Sequence, residues 1–303
     1  MITPFDLKAR VDLDAVSALV EFYLAAGAKG LFANCLSSEM FSITEDERLA
    51  LTRHVVKQVN GRVPVVATGS FGLTIEDKAE FVKRIFDTGV HAVILVTGHF
   101  AKEEEGDDVL LRHVETLFRL TTNIPLGTYE CPAPYKRILR SGVFQQLVSS
   151  GRLVYHKDTS ISHEQVKAKL DVLAALPDHR LEFYDAHTPN AMFSLREGAT
   201  GLSSISGNFY PEILVWMVAH ATDPGKQQEA SWLQQELSLV DPMIHINYPV
   251  SAKYFLQKRG LPVRPISRAV AMKMTPDQRH RLDALFVRFQ DWCGRLGINV
   301  IGI

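Results

Sequence analysis

Short runs rich in β-branched residues alternate with longer periodic runs through the first two-thirds of the chain, and no other feature constrains the fold as much. Repeated strand–helix order implies βαβ units and a parallel sheet. Strands are expected near Gly30 to Phe32, Val63 to Thr68, Ala92 to Val96, Pro125 to Tyr129, Leu153 to His156, Leu181 to Tyr184 and Gly201 to Ser203. An abbreviated first strand around Ile2 and Thr3 would make eight. The intervening segments carry helix-start chemistry. Thr44 with Glu47, Thr74 with Asp77 and Ser162 with Gln165 resemble capping boxes, and Thr188-Pro189 reads as an N-cap followed by proline at the first helical position. From about Asp223 the strand pattern stops, and helices are expected near Gln227 to Leu239, Ile246 to Arg259 and Pro276 to Leu296.

Eight such units either close as a barrel or spread as a doubly wound sheet. The open sheet would be favoured by G-x-G-x-x-G after its first strand, which this chain lacks. The expected fold is therefore an α/β TIM (β/α)8 barrel over residues 1–222 with a C-terminal helical extension over 223–303. The length of 303 residues suits it, since such barrels use about 250.

Charge and cysteine content narrow the function. A formal net charge of −1 without a long basic run leaves no electrostatic footprint for nucleic acid or an anionic membrane. No apolar run reaches the roughly 18 residues of a membrane span, and the N-terminus lacks secretory-signal features. Cys35, Cys131 and Cys293 are widely spaced, so neither a disulfide framework nor a zinc site is suggested, and a reducing cytoplasm fits. No H-E-x-x-H or phosphate-binding P-loop occurs, and no metal or cofactor is expected. The acidic cluster Glu103-Glu104-Glu105 with Asp107-Asp108 reads as a solvated loop and helix start.

In a barrel the chemistry sits where strands end. The residues closing the apolar runs are Ser37, Ser38, Thr68, Thr97, Tyr129, Lys157, His187 and Ser204. A lysine after a strand is usually a solvated loop residue. Were it instead buried in a barrel mouth, desolvation would lower its pKa and leave a neutral amine able to attack a carbonyl, and position alone does not select that alternative. Tyr129, closing the preceding strand, reads equally as a core tyrosine hydrogen-bonded to backbone and as a general acid and base toward Lys157. Ser37 and nearby backbone N–H groups form a natural anion site before a helix. His99 and His187 both follow strands, and a lone histidine is more often structural than functional.

These segments resemble a known family. Tyr155-His156-Lys157-Asp158-Thr159-Ser160 is similar to the lysine motif of the dihydrodipicolinate synthase and N-acetylneuraminate lyase family, class I Schiff-base aldolases. Thr3-Pro4-Phe5 resembles the family's opening, and Cys35-Leu36-Ser37-Ser38-Glu39 stands in the place of its Gly-Thr-Thr-Gly-Glu carboxylate loop. Tyr129-Glu130-Cys131-Pro132 is similar to its Tyr-Asn-x-Pro motif, and Gly201-Leu202-Ser203-Ser204 with Asn208 to its last strand and following helix start. The resemblance covers nearly the whole chain. It implies a lyase in which Lys157 forms an imine with a pyruvate-like 2-oxo acid and Tyr129 relays protons. It also implies substrate contacts from Ser37, Ser38, Ser203 and His187, and a homotetramer.

The same first steps serve aldolases and dehydratases, so pyruvate-yielding cleavage, condensation and dehydration all stay open. The rivals are a non-catalytic sugar-acid or 2-oxo-acid binding protein on the same barrel and a metal-dependent barrel aldolase. Dihydrodipicolinate synthase activity itself is disfavoured. Pro134 stands where the synthase pattern has an arginine, and Leu36 and Phe100 replace a hydroxyl and a tyrosine that carry protons.

Overall fold

A computed structural model describes residues 1–271 and 273–302; the expected helical region thus ends on Ile303, outside the described residues. The chain divides into two compact units, Pro64–Ser203 and Met1–Val63 with Ser204–Ile303.

The Pro64–Ser203 unit holds strands β2 (Val65–Thr68), β3 (Ala92–Val96), β4 (Leu126–Tyr129), β5 (Leu153–Asp158), β6 (Glu182–Asp185) and β7 (Gly201–Leu202). Each pairs in parallel with the next. Between them run α3 (Ile75–Phe86), α4 (Asp107–Leu120), α5 (Ser141–Ser149), α6 (His163–Ala174) and α7 (Ala191–Arg196). Every side chain of β3 is buried, as expected of a parallel strand covered on both faces. Thr74 and Asp77 form the reciprocal box that starts α3. Ser162 caps α6 through Gln165 N at 3.3 Å, one arm of the expected box. The expected Thr188 cap shifts by one residue: His187 is the N-cap, and Thr188–Asn190 already form a 3-10 turn leading into α7.

The other unit contains α1 (Leu13–Ala25), β1 (Leu31–Asn34), α2 (Glu45–Val59), α8 (Pro211–His220), α9 (Gln227–His245), α10 (Val250–Lys258) and α11 (Pro276–Leu296). Thr44 and Glu47 start α2 with a full capping box. Helix α9 outruns its expected end at Leu239 and continues through Pro242, because Leu233, Leu237, Val240 and Ile244 extend one buried stripe. Helix α10 begins later than expected. Asn247 adopts a left-handed φ of 51° and Pro249 stands at the N-cap, so no regular turn forms before Val250.

The abbreviated first strand is a correction. Residues 2–4 form no strand, and Phe5 makes only an isolated antiparallel bridge to Val11. Pro4 has no N–H for a ladder. The segment is instead held by end and side-chain contacts: the Met1 amine donates to Phe32 O at 2.9 Å and Thr3 Oγ1 to Ser38 O at 2.8 Å. Seven strands therefore stand among the described residues, alternating with helices in the repeat of a TIM barrel, and α9 to α11 are its C-terminal extension.

Candidate active site

Strand register brings the two expected catalytic side chains together. Val96 pairs with Tyr129, Tyr129 with Lys157, and Lys157 with Tyr184, so one row crosses four strands. Residues aligned in this way project from the same face of a sheet. Lys157 is 7% and Tyr129 4% exposed, and the Lys157 Nζ lies 4.8 Å from the Tyr129 ring centroid. Strand β5 runs through Asp158, so Lys157 sits inside a strand with a fixed backbone, not in a following loop.

On the same face, the residue two before Lys157 packs diagonally against this row. Tyr155 stacks on Tyr184 with centroids 4.9 Å apart and donates its hydroxyl to Ser203 Oγ at 3.2 Å. Gly127 makes room for this: a Cβ there would lie 2.7 Å from Tyr155 Cβ and 2.6 Å from Ile94 Cδ1. Burial, followed by the nearby Glu182 carboxylate, pushes the Tyr184 phenol well above its ordinary range, so it stays protonated.

The opposite face carries a polar cluster to which the sequence assigned no role. Glu130 follows Tyr129, while His156 and Asp158 flank Lys157; all three are fully buried. Their donor atoms lie within 4.8 Å of one another, close enough to hold a metal ion. Lys169 of α6 supplies the positive charge there, with its ammonium 2.5 Å from Asp158 Oδ2 and also bonded to Glu130 Oε1. Burial pushes Asp158 up, but His156 and the Lys169 ammonium outweigh it and hold the carboxyl well below its usual range. Thr128 Oγ1 fixes His156 Nδ1 at 2.8 Å. The signal for Lys169 was its spacing: it lies three residues after Val166 and four before Leu173, on the buried stripe of its helix.

Among the other expected site residues, Ser203 receives the Tyr155 hydroxyl, and His187 is half-buried with its N–H on Asp185 Oδ1 at 2.7 Å. Thr97 Oγ1 is spent on backbone, donating to Arg137 O at 2.7 Å. His99 Nδ1 contacts Ser70 O at 2.6 Å, a structural setting. Glu103 and Glu104 are exposed and Asp107-Asp108 open α4, the solvated loop and helix start expected of the acidic run. A surface depression of about 660 Å³, lined by Leu73, Lys78, His99, Phe100, His113 and Tyr135 among others, includes neither Lys157 nor Tyr129.

The carboxylate-loop residues belong to the other unit. Ser38 is fully buried, and its hydroxyl contacts Met1 O at 2.9 Å and Ala33 O at 2.8 Å while accepting from Cys35 N. Ser38 thus braces the loop with its side chain. Ser37 is 8% exposed and hydrogen-bonds Tyr248, whose hydroxyl accepts from Asn208 Nδ2 at 2.7 Å; Tyr23 in turn donates to Asn208 Oδ1 at 2.8 Å. Glu39, at a left-handed φ of 59°, is anchored by Lys253 at 2.5 Å and by Ser267 Oγ and Arg268 N, each at 2.7 Å.

Fold and site together define a TIM-barrel protein with a buried, strand-borne amine beside a tyrosine. The chain belongs to the dihydrodipicolinate synthetase family, whose model matches residues 1–287. It is 30% identical to 4-hydroxy-tetrahydrodipicolinate synthase 2 of Halalkalibacterium halodurans, with 94% of each chain covered. It is 28% identical to the 4-hydroxy-tetrahydrodipicolinate synthase of Bacillus subtilis, over 94% of this chain and 95% of the relative. Among solved structures, YagE, a prophage protein of the same family from E. coli K12 in complex with pyruvate, superposes with a TM-score of 0.85 at 22% identity. That match covers 95% of this chain and 96% of YagE, and it supports the barrel and its helical extension.

Proposed function

We propose that the chain is a Schiff-base-forming lyase acting on a 2-oxo acid, with Lys157 as the amine and Tyr129 as the proton relay. Family membership supports a lyase-type enzyme. The observation that carries the finer reading is the Lys157 Nζ 4.8 Å from the Tyr129 ring, both side chains buried on one row of the sheet. In the proposed reaction the Lys157 nitrogen adds to the ketone carbon, and the carbinolamine loses water as its hydroxyl takes a proton relayed by Tyr129. In cleavage, the resulting iminium accepts the electrons of the bond between the α- and β-carbons as the β-hydroxyl loses its proton, giving an aldehyde and an enamine that is reprotonated at carbon. In dehydration, the α-carbon first loses a proton to give the enamine, which then expels the β-hydroxyl as water and leaves a conjugated iminium. Hydrolysis then returns the amine. The imine is itself the electron sink, so the proposed chemistry needs neither metal nor cofactor.

Ser37, with the loop that Ser38 braces, is the proposed holder of the substrate carboxylate, and Ser203 and His187 are proposed to contact its distal part. The assembly is proposed to be a homotetramer, checked by mass in solution, and the setting the reducing cytoplasm expected from three isolated cysteines.

The relatives are named synthases, yet a different second substrate is proposed for this chain. Pro134 brings no cation, and the two nearby cations are engaged elsewhere. Lys136 Nζ donates to Thr159 O at 2.6 Å, while the Arg137 guanidinium holds Lys102 O, Glu105 O and Asp107. Phe100 is buried and has no hydroxyl. The test is a screen of 2-oxo sugar acids and hydroxylated 2-oxo dicarboxylates, with detection of pyruvate and other 2-oxo products. Turnover of one of them supports the reading. Condensation of pyruvate with aspartate semialdehyde at the kcat/KM of a competent synthase would overturn the proposed specificity.

A further inference from the structure

We propose that Lys169 is a positioning residue: by tying Glu130 to Asp158 behind the sheet, it sets Lys157 and Tyr129 in their reactive arrangement. The inference rests on the imine reading given above. It starts from connectivity. Side chains alternate along a strand, so the neighbours of a residue that faces one way must face the other. Tyr129 is followed by Glu130, and Lys157 is flanked by His156 and Asp158; each reactive side chain therefore has a cluster member as its covalent neighbour. A contact that fixes those neighbours fixes the reactive pair.

The Lys169 ammonium makes that contact between two chain segments, bonding Glu130 just after β4 and Asp158 at the end of β5. The backbone reinforces it. Glu130 N donates to Lys157 O at 3.2 Å, Thr159 Oγ1 to Glu130 O at 2.5 Å, and Thr159 N to Glu130 Oε2 at 3.1 Å. Ser160 N and Oγ hold Asp158 Oδ1 at 2.7 and 2.6 Å, and Leu139 N holds Glu130 Oε1 at 2.8 Å. Every carboxylate oxygen of Glu130 and Asp158 thus has a donor, and Lys169, 1% exposed, is the cation common to both. A buried ion pair is weak evidence for stability, because desolvation offsets the attraction; fixing one geometry is a use that does not depend on net gain. Locked neighbours behind a reactive group are what hold it within a fraction of an ångström of productive geometry.

Charge gives the inference its distinguishing readout. The groups facing the cluster are Glu130 just after β4, His156 and Asp158 on β5, Asp185 on β6, and Lys169 and His163 on α6. Removing the ammonium leaves two carboxylates uncompensated beside the Lys157 backbone. They favour the charged form of the Lys157 amine, so the neutral nucleophile appears only at higher pH.

The experiment compares wild type and Lys169→Met in borohydride trapping with pyruvate, followed by intact mass across a pH series, with circular dichroism to verify folding. The inference predicts a folded variant whose trapping rate drops on the order of 10²-fold, the scale of about 1 Å of misplacement, with the rate profile displaced to higher pH. A folded variant with the wild-type rate and profile overturns it. If Lys169→Met does not fold, Lys169→Met combined with Glu130→Gln removes one stranded charge and is read in the same way. Failure of both to fold assigns Lys169 to stability and overturns the positioning role. Wild type that cannot be trapped refutes the imine reading itself, a result distinct from a variant that behaves like wild type.

Discussion

Lys253→Met is expected to destabilise the protein by about 3 kcal/mol, and the reason lies in what the ammonium leaves behind. Lys253 Nζ is 2.5 Å from Glu39 Oε1 and 2.6 Å from Ile266 O, with both side chains essentially inaccessible to water. Methionine keeps most of the stem volume, so the main loss is charge. Breaking a buried pair from one side costs about 3–5 kcal/mol. The lower end applies because Glu39 Oε2 retains Ser267 Oγ, Arg268 N and Ala269 N at 2.7 to 2.9 Å. For 303 residues the unfolding entropy is about 0.6 kcal/mol/K, so Tm should fall by about 5 °C. Adding Glu39→Gln removes the stranded charge, and a double-mutant cycle by thermal or denaturant unfolding should show a coupling of about 1–3 kcal/mol. Glu39 directly follows Ser37-Ser38, so Lys253→Met should also raise the pyruvate concentration that half-saturates trapping. A Tm within 1 °C of wild type, roughly a fifth of the shift expected from the entropy above, or strict additivity in the cycle, would refute the reasoning.

Tyr129→Phe should slow proton-transfer steps by about 10² to 10⁴ while substrate binding persists; unchanged kcat and unchanged trapping kinetics would make Tyr129 structural. Lys157→Arg should be inactive though folded, because a guanidinium does not deprotonate to a neutral amine, and near-wild-type turnover would exclude the mechanism. Asp185→Asn should flatten part of the pH dependence of Tm. Burial raises the Asp185 carboxyl from 3.8 to about 6 despite bonds from Ser194 and His187 N–H. The native state therefore keeps a proton that the unfolded chain has lost, a contribution fully present below pH 3.8 and lost as pH rises through about 6. A variant with the wild-type slope across that window contradicts this assignment.

The sequence made the strand order and the pairing of Tyr129 with Lys157 legible because both depend on local signals. β-branched runs mark strands, and the residue closing each run in a parallel repeat falls at the same end of the sheet. Ile2 and Thr3 misled for the same reason: two apolar-compatible residues before a proline look like a strand fragment, but a ladder also needs the N–H that Pro4 lacks. Helix α9 passed its expected end because burial of Val240 and Ile244 overrides the local signal of Pro242. The Glu130–Lys169 and Glu39–Lys253 pairs were harder to see. They join residues 39 and 214 positions apart, and nothing local says which carboxylate a buried lysine will meet. Half of each pair was nonetheless visible as a lysine on the apolar stripe of a helix, Lys169 between Val166 and Leu173 and Lys253 between Val250 and Leu256.

The central claim is that Lys157 forms an imine with a 2-oxo acid, and borohydride reduction of the full-length protein in the presence of pyruvate, with intact mass and peptide mapping, tests it most directly. The account predicts one reduced pyruvate adduct per chain, carried by Lys157, formed more slowly in Tyr129→Phe and absent in Lys157→Ala. An adduct on another lysine, or no adduct under conditions that label a known 2-oxo-acid lyase, would contradict it.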